Sequence, residues 1–420
     1  MADLPFTQIP EHWKLERLDH LFRVVKEPAY LNDPPVSAFI DGVVTLRSNR
    51  PDAIIKGSGQ EIGYKHIEAG DLVISGMNAH LGGLGISDSS GKCTPVYTVM
   101  RKTVDLDQRF ISYYLWHAAQ SGYIKSLVNA VRYNSADFGP ETVKRFMVPV
   151  PPLDEQRRIA NYLDNQLSVV NNLIQTKRDQ IDVAREISVT NLFLDLKRHN
   201  PIASNYQLPW LDFAVGQKIQ FGRMFDVSLG KMLQIEPKSD DDVLLPYLNS
   251  ASVNDFLSNP EKRMWANPKE FKNCQVLHGD LIVIEGGDVG RSKFYEGEPI
   301  IIQNSLHRVR SFSGNSLKYA HAILNAIRHS GYFEIICNVA TIRHLTLEKL
   351  AELPIPYYAP SVQDDIGKSY EENTKHVSEK LSLLADSITR LGEYKTSLIT
   401  GAVTGTFDVT TGRSVASWSN

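Results

Sequence analysis

The short motifs in this chain that could carry catalysis or bind a cofactor lack parts that such chemistry needs. Residues 32–36, Asn-Asp-Pro-Pro-Val, resemble the Asp-Pro-Pro-aromatic loop of amino-methyltransferases, but the aromatic residue that stacks on a flipped base is missing. The glycine clusters at 82–85 and 286–290 lack the Lys-Ser/Thr pair of a phosphate loop. The twelve histidines show no metal-ligand spacing, and no serine lies in a nucleophile elbow. The sequence therefore predicts a chain with no catalytic residues and no metal site.

Polar and basic side chains in the predicted loops are of the types that hydrogen-bond to nucleic acid, and ordinary solvent-facing loops contain the same types. Arg can bind guanine through two hydrogen bonds and Asn can bind adenine in the same way, whereas Tyr and Thr more often contact phosphate or a thymine methyl group. The candidate DNA contacts form five clusters: Arg132, Tyr133 and Asn134; Thr341, Arg343 and His344; Arg47, Ser48, Asn49 and Arg50; Arg291 and Lys293; and His307, Arg308 and Arg310. For each position an ordinary solvent-facing residue is the alternative. In the last cluster the intervening Val309 makes an exposed strand face equally plausible.

Composition sets the class of protein but does not by itself indicate nucleic acid. With 420 residues, 42% of them hydrophobic and 22% charged, the chain is globular and long enough for two or more domains. Lys and Arg total 45 against 48 Asp and Glu. Residues 1–152 hold 16 basic and 16 acidic side chains, and residues 201–360 hold 16 and 17. A DNA-binding face would need its positive charge gathered on one surface.

The cysteine count and the hydropathy pattern indicate a cytoplasmic protein. The three cysteines, Cys93, Cys274 and Cys337, form no CxxC pair and are too few for a disulfide framework. No apolar run approaches the roughly 20 residues of a membrane span. The first 18 residues lack the basic start and apolar stretch of a secretion signal.

An internal repeat relates the two halves of the chain at an offset of 209 residues. Gly70-Asp71-Leu72 recurs as Gly279-Asp280-Leu281, and Ser121-Gly122-Tyr123 recurs as Ser330-Gly331-Tyr332. In each half the first motif introduces a strand-like stretch and the second closes an apolar stretch. Further on, Val148 to Gln156 corresponds to Leu353 to Gln363, with a small change of length. A repeat of this kind predicts two copies of one scaffold.

Each copy of the repeat leads into a long helical pattern without internal proline. The first begins after Pro151-Pro152, with Asp154 as its expected N-cap, and the second begins near Ser361. Apolar residues recur in both at coiled-coil spacing. About 40 residues of helix extend roughly 60 Å, so the two seams must pack on each other or on a partner. The seam residues expected to pair as an antiparallel coiled coil are Leu163, Leu167, Val170, Ile174, Val377, Leu381, Leu384 and Ile388.

The predicted fold is therefore α+β, with two mixed α/β domains separated by two long antiparallel helices. The expected ranges are domain 1 at 1–152, helix 1 at 153–200, domain 2 at 201–360, helix 2 at 361–400 and a tail at 401–420. Within the domains, strands are expected at 38–46, 71–75, 96–100, 280–284 and 299–302, and helices near 108–121 and 316–330.

The chain resembles the specificity (S) subunit of type I restriction-modification systems over nearly its full length. The most specific similarity is the junction VPVPPLDEQRRIANYLD, in which a Val-Pro-rich strand meets the start of a helix. The opening IPEHWKLERLDHLF and the helix end TSLITGAVTGTFDV are also similar to that family. The second junction, LPIPYYAPSVQ, departs from the pattern and keeps only its prolines and Gln363.

The resemblance implies a non-catalytic subunit with two target recognition domains. Each domain would read one half of a bipartite DNA sequence, and low identity between the copies implies an asymmetric target. The helices would act as a spacer and dock two methyltransferase subunits, through which restriction subunits join. S-adenosylmethionine, ATP and Mg would belong to the partners, and this chain would hold no cofactor. The alternative is a coiled-coil scaffold whose paired domains bind protein or glycan.

The resemblance predicts that spacer length follows helix length. Adding or removing about one heptad within residues 153–197 is expected to change the permitted gap between the half-sites and to leave both half-sequences unchanged. Mapping the methylated sites of such a variant measures the gap directly. An unchanged gap would count against the spacer role.

Overall fold

The structure is a computed structural model that describes residues 9–50, 62–127, 130–132, 135–136, 138–200, 203–251, 262–272, 275–312, 314–337 and 343–414. The ten helices named here are α1 Leu18–Leu21, α2 Gln108–Gln120, α3 Tyr123–Ser126, α4 Pro140–Lys144, α5 Leu153–Arg198, α6 Pro268–Phe271, α7 Leu317–His329, α8 Tyr332–Ile336, α9 Leu347–Glu352 and α10 Pro360–Val403.

The described strands are β1 Lys14–Arg17, β2 Phe22–Val25, β3 Val36–Ala38, β4 Val44–Leu46, β5 Lys65–Ile67, β6 Leu72–Ser75, β7 Leu84–Ile86, β8 Gly91–Cys93, β9 Tyr97–Lys102, β10 Ala130–Arg132, β11 Ser135–Ala136, β12 Met147–Val150, β13 Tyr206–Gln207, β14 Ala214–Val215, β15 Lys218–Gln220, β16 Phe225–Leu229, β17 Val243–Leu248, β18 Arg263–Ala266, β19 Gln275–Val276, β20 Leu281–Ile284, β21 Ser292–Phe294, β22 Ile300–Ile302, β23 Leu306–Ser311, β24 Pro354–Pro356, β25 Phe407–Asp408 and β26 Arg413–Ser414.

The chain divides into two compact units, and both long helices are shared between them. Unit 1 comprises residues 1–177 and 385–420, and unit 2 comprises residues 178–384. The α+β class with two long helices agrees with the sequence prediction. Each unit therefore contains a mixed α/β domain together with half of each long helix, rather than a domain alone.

Unit 1 is built around a four-stranded sheet in the order β2-β9-β6-β7. Helix α2 contributes the largest apolar face to its core, including the fully buried Phe110 and Tyr114. A second, smaller cluster of buried residues includes Val36, Val44 and Val99 and lies where β3 pairs with β4. The unit thus has a main core beside α2 and a smaller core beside the β3-β4 hairpin.

Unit 2 repeats this plan with different side chains. Its sheet has the order β16-β23-β20-β21, and helix α7 lies where α2 lies in the repeat. Tyr319 is fully buried in the main core. A second cluster lies on the sheet β18-β17-β22-β19, with Ile302 and Leu306 among its buried members.

The Ser-Gly-Tyr motifs perform the same task in both units. Gly122 and Gly331 follow the ends of α2 and α7 with φ of +78° and +75°, a conformation that favours glycine. The preceding serines each bond back to the helix, Ser121 Oγ to the Ala118 carbonyl at 3.2 Å and Ser330 Oγ to the Ile327 carbonyl at 2.8 Å. The motif is thus a helix stop.

A buried glutamine fastens the first turn of each long helix to its unit. In unit 1 the Asp107 N–H donates to Gln156 Oε1 at 2.9 Å, and Gln156 Nε2 donates to the Pro151 carbonyl at 2.8 Å. In unit 2 the Ser316 N–H donates to Gln363 Oε1 at 3.0 Å, and Gln363 Nε2 donates to the Tyr358 carbonyl at 2.8 Å. Because Asp107 and Ser316 are the N-caps of α2 and α7, the glutamine joins the long helix to the core helix in each copy.

In unit 1 the halves of α5 and α10 pack through apolar residues. Leu163, Leu167 and Val170 are buried, and the first two share a core cluster with Leu398 and Ile399. Ile174 and Ile388 are half-buried. The coiled-coil spacing in this part of the sequence therefore corresponds to buried side chains.

In unit 2 the complementary halves run antiparallel. Asn191 contacts Asn373 at 3.5 Å, and Ser369 Oγ donates to Asp195 Oδ2 at 2.5 Å, so the residue number falls along one helix as it rises along the other. This register brings Val377, Leu381 and Leu384 to the same unit as residues 178–188. Leu384 is buried, and Val377 and Leu381 are half-buried. The two sets of four seam residues consequently do not all face each other.

Two local predictions are wrong. Residues 38–46 are two strands, β3 and β4, joined by a turn in which the Phe39 N–H donates to the Val43 carbonyl and Gly42 has φ of +87°. Asp154 is not the N-cap of α5, because the helix already begins at Leu153 and Asp154 lies in its first turn. The strand expectations at 71–75, 96–100, 280–284 and 299–302 and both core helices are confirmed within a few residues.

We expect Gln156→Leu to lower the free energy of unfolding of the full chain by about 2 kcal/mol, because it removes two buried hydrogen bonds and leaves their backbone partners unsatisfied. Urea unfolding measures the change. Gln180→Leu, on an exposed position of the same helix, is the matched control and should change stability little. Equal stabilities for the two variants would contradict a fastening role for Gln156.

Candidate nucleic-acid interface

The first candidate cluster in unit 1 forms a tight turn directly after β4. Residues Arg47–Asn49 make one turn of 3₁₀ helix, and the Arg47 N–H donates to the Pro35 carbonyl at 2.9 Å. Arg47 Nε donates to Ser37 Oγ at 2.9 Å. Asn49 Nδ2 donates to Thr45 Oγ1 at 2.8 Å. The strand hairpin β3-β4 thus sets the positions of these side chains.

Arg50 has an acidic partner within the unit, whereas the described partner of the Arg47 guanidinium is a neutral hydroxyl. Arg50 lies 2.8 Å from Asp41 and 4.7 Å above the centre of the Phe39 ring, so its charge is largely satisfied within the protein. Arg47 has no ion pair among the described residues, and its Nε is held by a neutral hydroxyl. Ser37 orients the guanidinium through Nε, and its terminal nitrogens have no hydrogen bond to any described residue, which leaves them available to bind a guanine edge.

The cluster at 132–134 is described only in part. The backbone of Arg132 ends strand β10, which pairs antiparallel with β11 in a short hairpin. Tyr133 and Asn134 lie outside the described residues. These three positions stay predictions.

In unit 2 the candidate residues near the loop that corresponds to the 132–134 cluster form contacts with glutamates. Arg343 Nη1 lies 3.3 Å from Glu334, and His344 Nδ1 lies 2.9 Å from Glu285. Both side chains are partly or well exposed, with 42% and 55% of their surface accessible. Thr341 lies outside the described residues. Arg343 and His344 are therefore oriented by glutamates and still exposed to solvent.

Arg291 and Lys293 lie on and beside strand β21. Arg291 Nη1 lies 3.2 Å from Asp288, which also binds Arg328 at 2.6 Å. Burial lowers the pKa of the Lys293 ammonium. Both candidates are half-exposed.

His307 and Arg308 lie in the interior of unit 2, although sequence reasoning placed them among the candidate contacts. His307 is fully buried in β23 and its Nε2 donates to the Leu345 carbonyl at 2.6 Å. Burial lowers the pKa of His307. The guanidinium of Arg308 is 6% exposed and pairs with Asp226 at 2.8 Å. Because neither side chain reaches the surface of the unit, neither is retained as an exposed candidate.

Arg310 belongs to an ion pair that recurs in both units. Arg310 binds Asp280 through two contacts of 2.6 and 2.7 Å, and Arg101 binds Asp71 through contacts of 2.8 and 3.0 Å. These hydrogen bonds raise the pKa of both arginines. Each carboxylate also accepts a backbone N–H from the turn before it, at 2.9 Å from Glu68 and 2.7 Å from Leu277.

This pair explains the Gly-Asp-Leu motif. The buried aspartate ties the turn before the central strand to the neighbouring strand of the same sheet, β9 in unit 1 and β23 in unit 2. Sequence reasoning missed Arg101, although the offset of 209 residues already paired it with Arg310. Arg101 and Arg310, which match across the repeat, thus each form an ion pair with the aspartate of the Gly-Asp-Leu motif.

The described part of the chain holds no group of three or more His, Cys, Asp or Glu side chains placed to bind a metal ion. Among those same residues, no helix has the length and apolar character needed to cross a membrane. Cys93 and Cys337 are buried free thiols.

Comparisons with known proteins find similarity to a DNA specificity family in the first part of the chain. Residues 10–183 match the family described as type I restriction modification DNA specificity domain. A putative type I restriction enzyme MjaX specificity subunit from Methanocaldococcus jannaschii is 23% identical over 189 residues, which are 42% of this chain. The match spans about 43% of that relative's length.

One solved structure is similar in fold over most of the chain. A chain from a structure on complex assembly and conformational transition of a type I R-M system superposes with a TM-score of 0.65 at 17% identity, covering 95% of this chain and 99% of that one. The HsdS subunit from Thermoanaerobacter tengcongensis gives a TM-score of 0.44 at 16% identity, with 96% and 100% covered. The resemblance found in the sequence is confirmed, and the scaffold alternative is not favoured.

We expect Arg310→Met to lower the free energy of unfolding by about 2 kcal/mol, because it leaves the buried Asp280 carboxylate without its cation. The cost is below that of a fully buried pair because the Arg310 side chain is 33% exposed. Urea unfolding without DNA measures it, and Arg263→Met, at an exposed position of β18, is the control. Unchanged stability combined with weakened DNA binding would instead make Arg310 a DNA contact.

Proposed function

Residues 10–183 belong to the type I restriction-modification DNA specificity domain family, and from this premise we propose that the chain is the DNA-specificity subunit of a type I restriction-modification complex. Each unit reads one half of a bipartite, asymmetric DNA target. The long helices set the spacing and dock two methyltransferase subunits, through which the restriction subunits join.

In this proposal the chain itself performs no chemistry. S-adenosylmethionine serves the methyltransferase subunits, and ATP and Mg serve the partner subunits that methylate or cut. The chain contributes sequence-specific contacts and the geometry that brings the partners to their target. The expected cytoplasmic location stays a prediction.

One observation carries the proposal: the two units share their internal fastenings but differ at their surfaces. The Asp-Arg ion pair and the helix-joining glutamine recur at matching positions, with nearly equal distances. The candidate reading loops do not recur, since Arg132-Tyr133-Asn134 corresponds to Thr341-Ile342-Arg343. One scaffold with two different reading surfaces is what an asymmetric two-part target requires.

Binding to duplex DNA tests the proposal. The chain co-expressed with its methyltransferase partner should bind one duplex sequence far more tightly than others, and its affinity should fall as salt rises. Randomised duplex pools recovered at several salt concentrations would show both properties. Equal recovery of all sequences would favour the scaffold alternative.

Among the described candidates of unit 1, Arg47 has an oriented guanidinium and no ion pair. We expect Arg47→Lys to relax the preference at one base pair of one half-site by about tenfold, because the flexible Lys ammonium lacks the planar fork that fixes the two hydrogen bonds of Arg to guanine. Arg23→Lys, at an exposed position of β2, should leave every position unchanged. Selection from a randomised duplex pool measures both. A uniform loss of affinity across all sequences would show that Arg47 contacts phosphate instead.

A further inference from the structure

The loop between β2 and β3 exposes two large apolar side chains at its tip. Leu31 is 93% exposed, the highest value for any large hydrophobic side chain among the described residues, and its neighbour Tyr30 is 63% exposed. A single exposed apolar residue is ordinary on a protein surface. Two adjacent ones, of which Leu31 is almost fully exposed, call for a physical explanation.

The backbone of the tip is hydrogen-bonded to its own aspartate. The Tyr30 N–H donates to Asp33 Oδ2 at 2.9 Å, and the Asp33 N–H donates to the Tyr30 carbonyl at 3.1 Å. His66 Nδ1 lies 2.8 Å from the same Asp33 oxygen. The His66 ring also lies against the Tyr30 ring, with centres 4.6 Å apart. These contacts hold the turn that carries Leu31 and place the Tyr30 ring against His66.

The tip is joined to the residue that the proposed function assigns to base reading. The Pro35 carbonyl, at the end of the loop, accepts the backbone N–H of Arg47 at 2.9 Å. The preceding carbonyl, that of Pro34, accepts the N–H of Lys92 at 2.9 Å. The loop that carries the tip is therefore hydrogen-bonded through its backbone to the turn that carries Arg47.

The loop that carries the tip holds Lys26, Glu27 and Asp33. Glu27 lies 3.4 Å from Arg101 and Asp33 lies 2.8 Å from His66, so both acids have partners inside the unit, whereas Lys26 has no ion pair among the described residues. Lys26 is exposed at the start of the loop, and it lies close enough to Lys65 to contribute to lowering the pKa of that ammonium, which is lowered first by burial. Cations beside an apolar projection suit a partner whose surface is anionic and whose interior is apolar. Duplex DNA has phosphates outside and a base stack inside.

We propose that Tyr30 and Leu31 form an apolar wedge that enters the DNA duplex at a base step beside the half-site read by Arg47. Leucine and similar side chains act in this way in architectural DNA-binding proteins, where they partly unstack a step and kink the duplex. The wedge deepens the proposed function and rests on it. It adds sequence preference at a step that accepts deformation, without a hydrogen bond to any base.

Unit 2 supplies a matched contrast. The loop between β16 and β17 also exposes apolar side chains, Met232 at 75% and Ile235 at 86%. That loop also holds Lys231 and Lys238. It differs in its acids, because Glu236 and Asp240 have no ion pair among the described residues, while Asp241 lies 3.1 Å from Lys269, and unpaired acids would be repelled by phosphates. Ile235 is thus an apolar projection of similar exposure in an acidic setting, and the wedge is assigned to unit 1 alone.

The test compares Leu31→Ser, Ile235→Ser and Lys26→Ala in the full chain co-expressed with its methyltransferase partner. The probe is the duplex recovered by selection with the unaltered protein, labelled at both ends for energy transfer. Leu31→Ser is expected to weaken binding about tenfold, to reduce the bend of the duplex and to leave the salt dependence unchanged. Lys26→Ala should reduce the slope of log affinity against log salt concentration by about one. Ile235→Ser should resemble the unaltered protein.

The outcomes separate the wedge from the proposed function. Sequence-specific binding and bending that Leu31→Ser leaves unchanged would overturn the wedge while the proposed function stands. Loss of the methyltransferase partner from the purified Leu31→Ser complex, with DNA binding retained, would assign the tip to a protein contact and overturn the wedge as well. Absence of sequence-specific binding by the unaltered complex would overturn both.

Discussion

A buried glutamine amide at the first turn of each long helix is the constraint on which the rest of this structure depends. A long helix that leaves a domain through a proline-rich strand could adopt many directions. Gln156 and Gln363 remove that freedom, because each amide binds the N-cap backbone of the core helix with its oxygen and the exit strand or its continuation with its nitrogen. Since both groups are buried, a change of direction would break two hydrogen bonds away from water.

The two units show which features a recognition scaffold must keep and which it can change. The aspartate of each Gly-Asp-Leu motif must keep its arginine, because a buried carboxylate without a cation is costly. The glycines at the helix stops must remain, because their backbone lies at positive φ. Surface turns have no such requirement. Arg47, Arg343 and His344 are held by short polar contacts that other residues could replace, so the reading surface can diverge while the core stays the same.

Patterns of regular spacing allowed much of the fold to be predicted. The α+β class, the two long helices and both core helices follow from apolar periodicity, and the repeat follows from motifs at one offset. The seam register was not predictable, because heptad spacing gives the face of a helix but not the partner residue opposite it. The hairpin at 36–46 was missed because its turn contains Phe39 and Ile40, whose apolar character continues the strand pattern.

The candidate contacts were harder to predict, because residue type does not reveal burial or ion pairing. His307, Arg308 and Arg310 look alike in sequence, yet the first two are interior and the third pairs with Asp280. Only the offset to Arg101 could have marked Arg310 as structural. Arg47 and Arg50 likewise differ through Asp41 and Phe39, which are neighbours created by the hairpin.

The central claim is that one scaffold carries two unlike readers of DNA, and genome-wide mapping of methyladenine tests it most directly. The map should be made in the source organism with the gene intact and with the gene deleted. We predict that deletion abolishes methylation at a single asymmetric, two-part sequence and nowhere else. An identical methylation pattern with and without the gene would contradict the account.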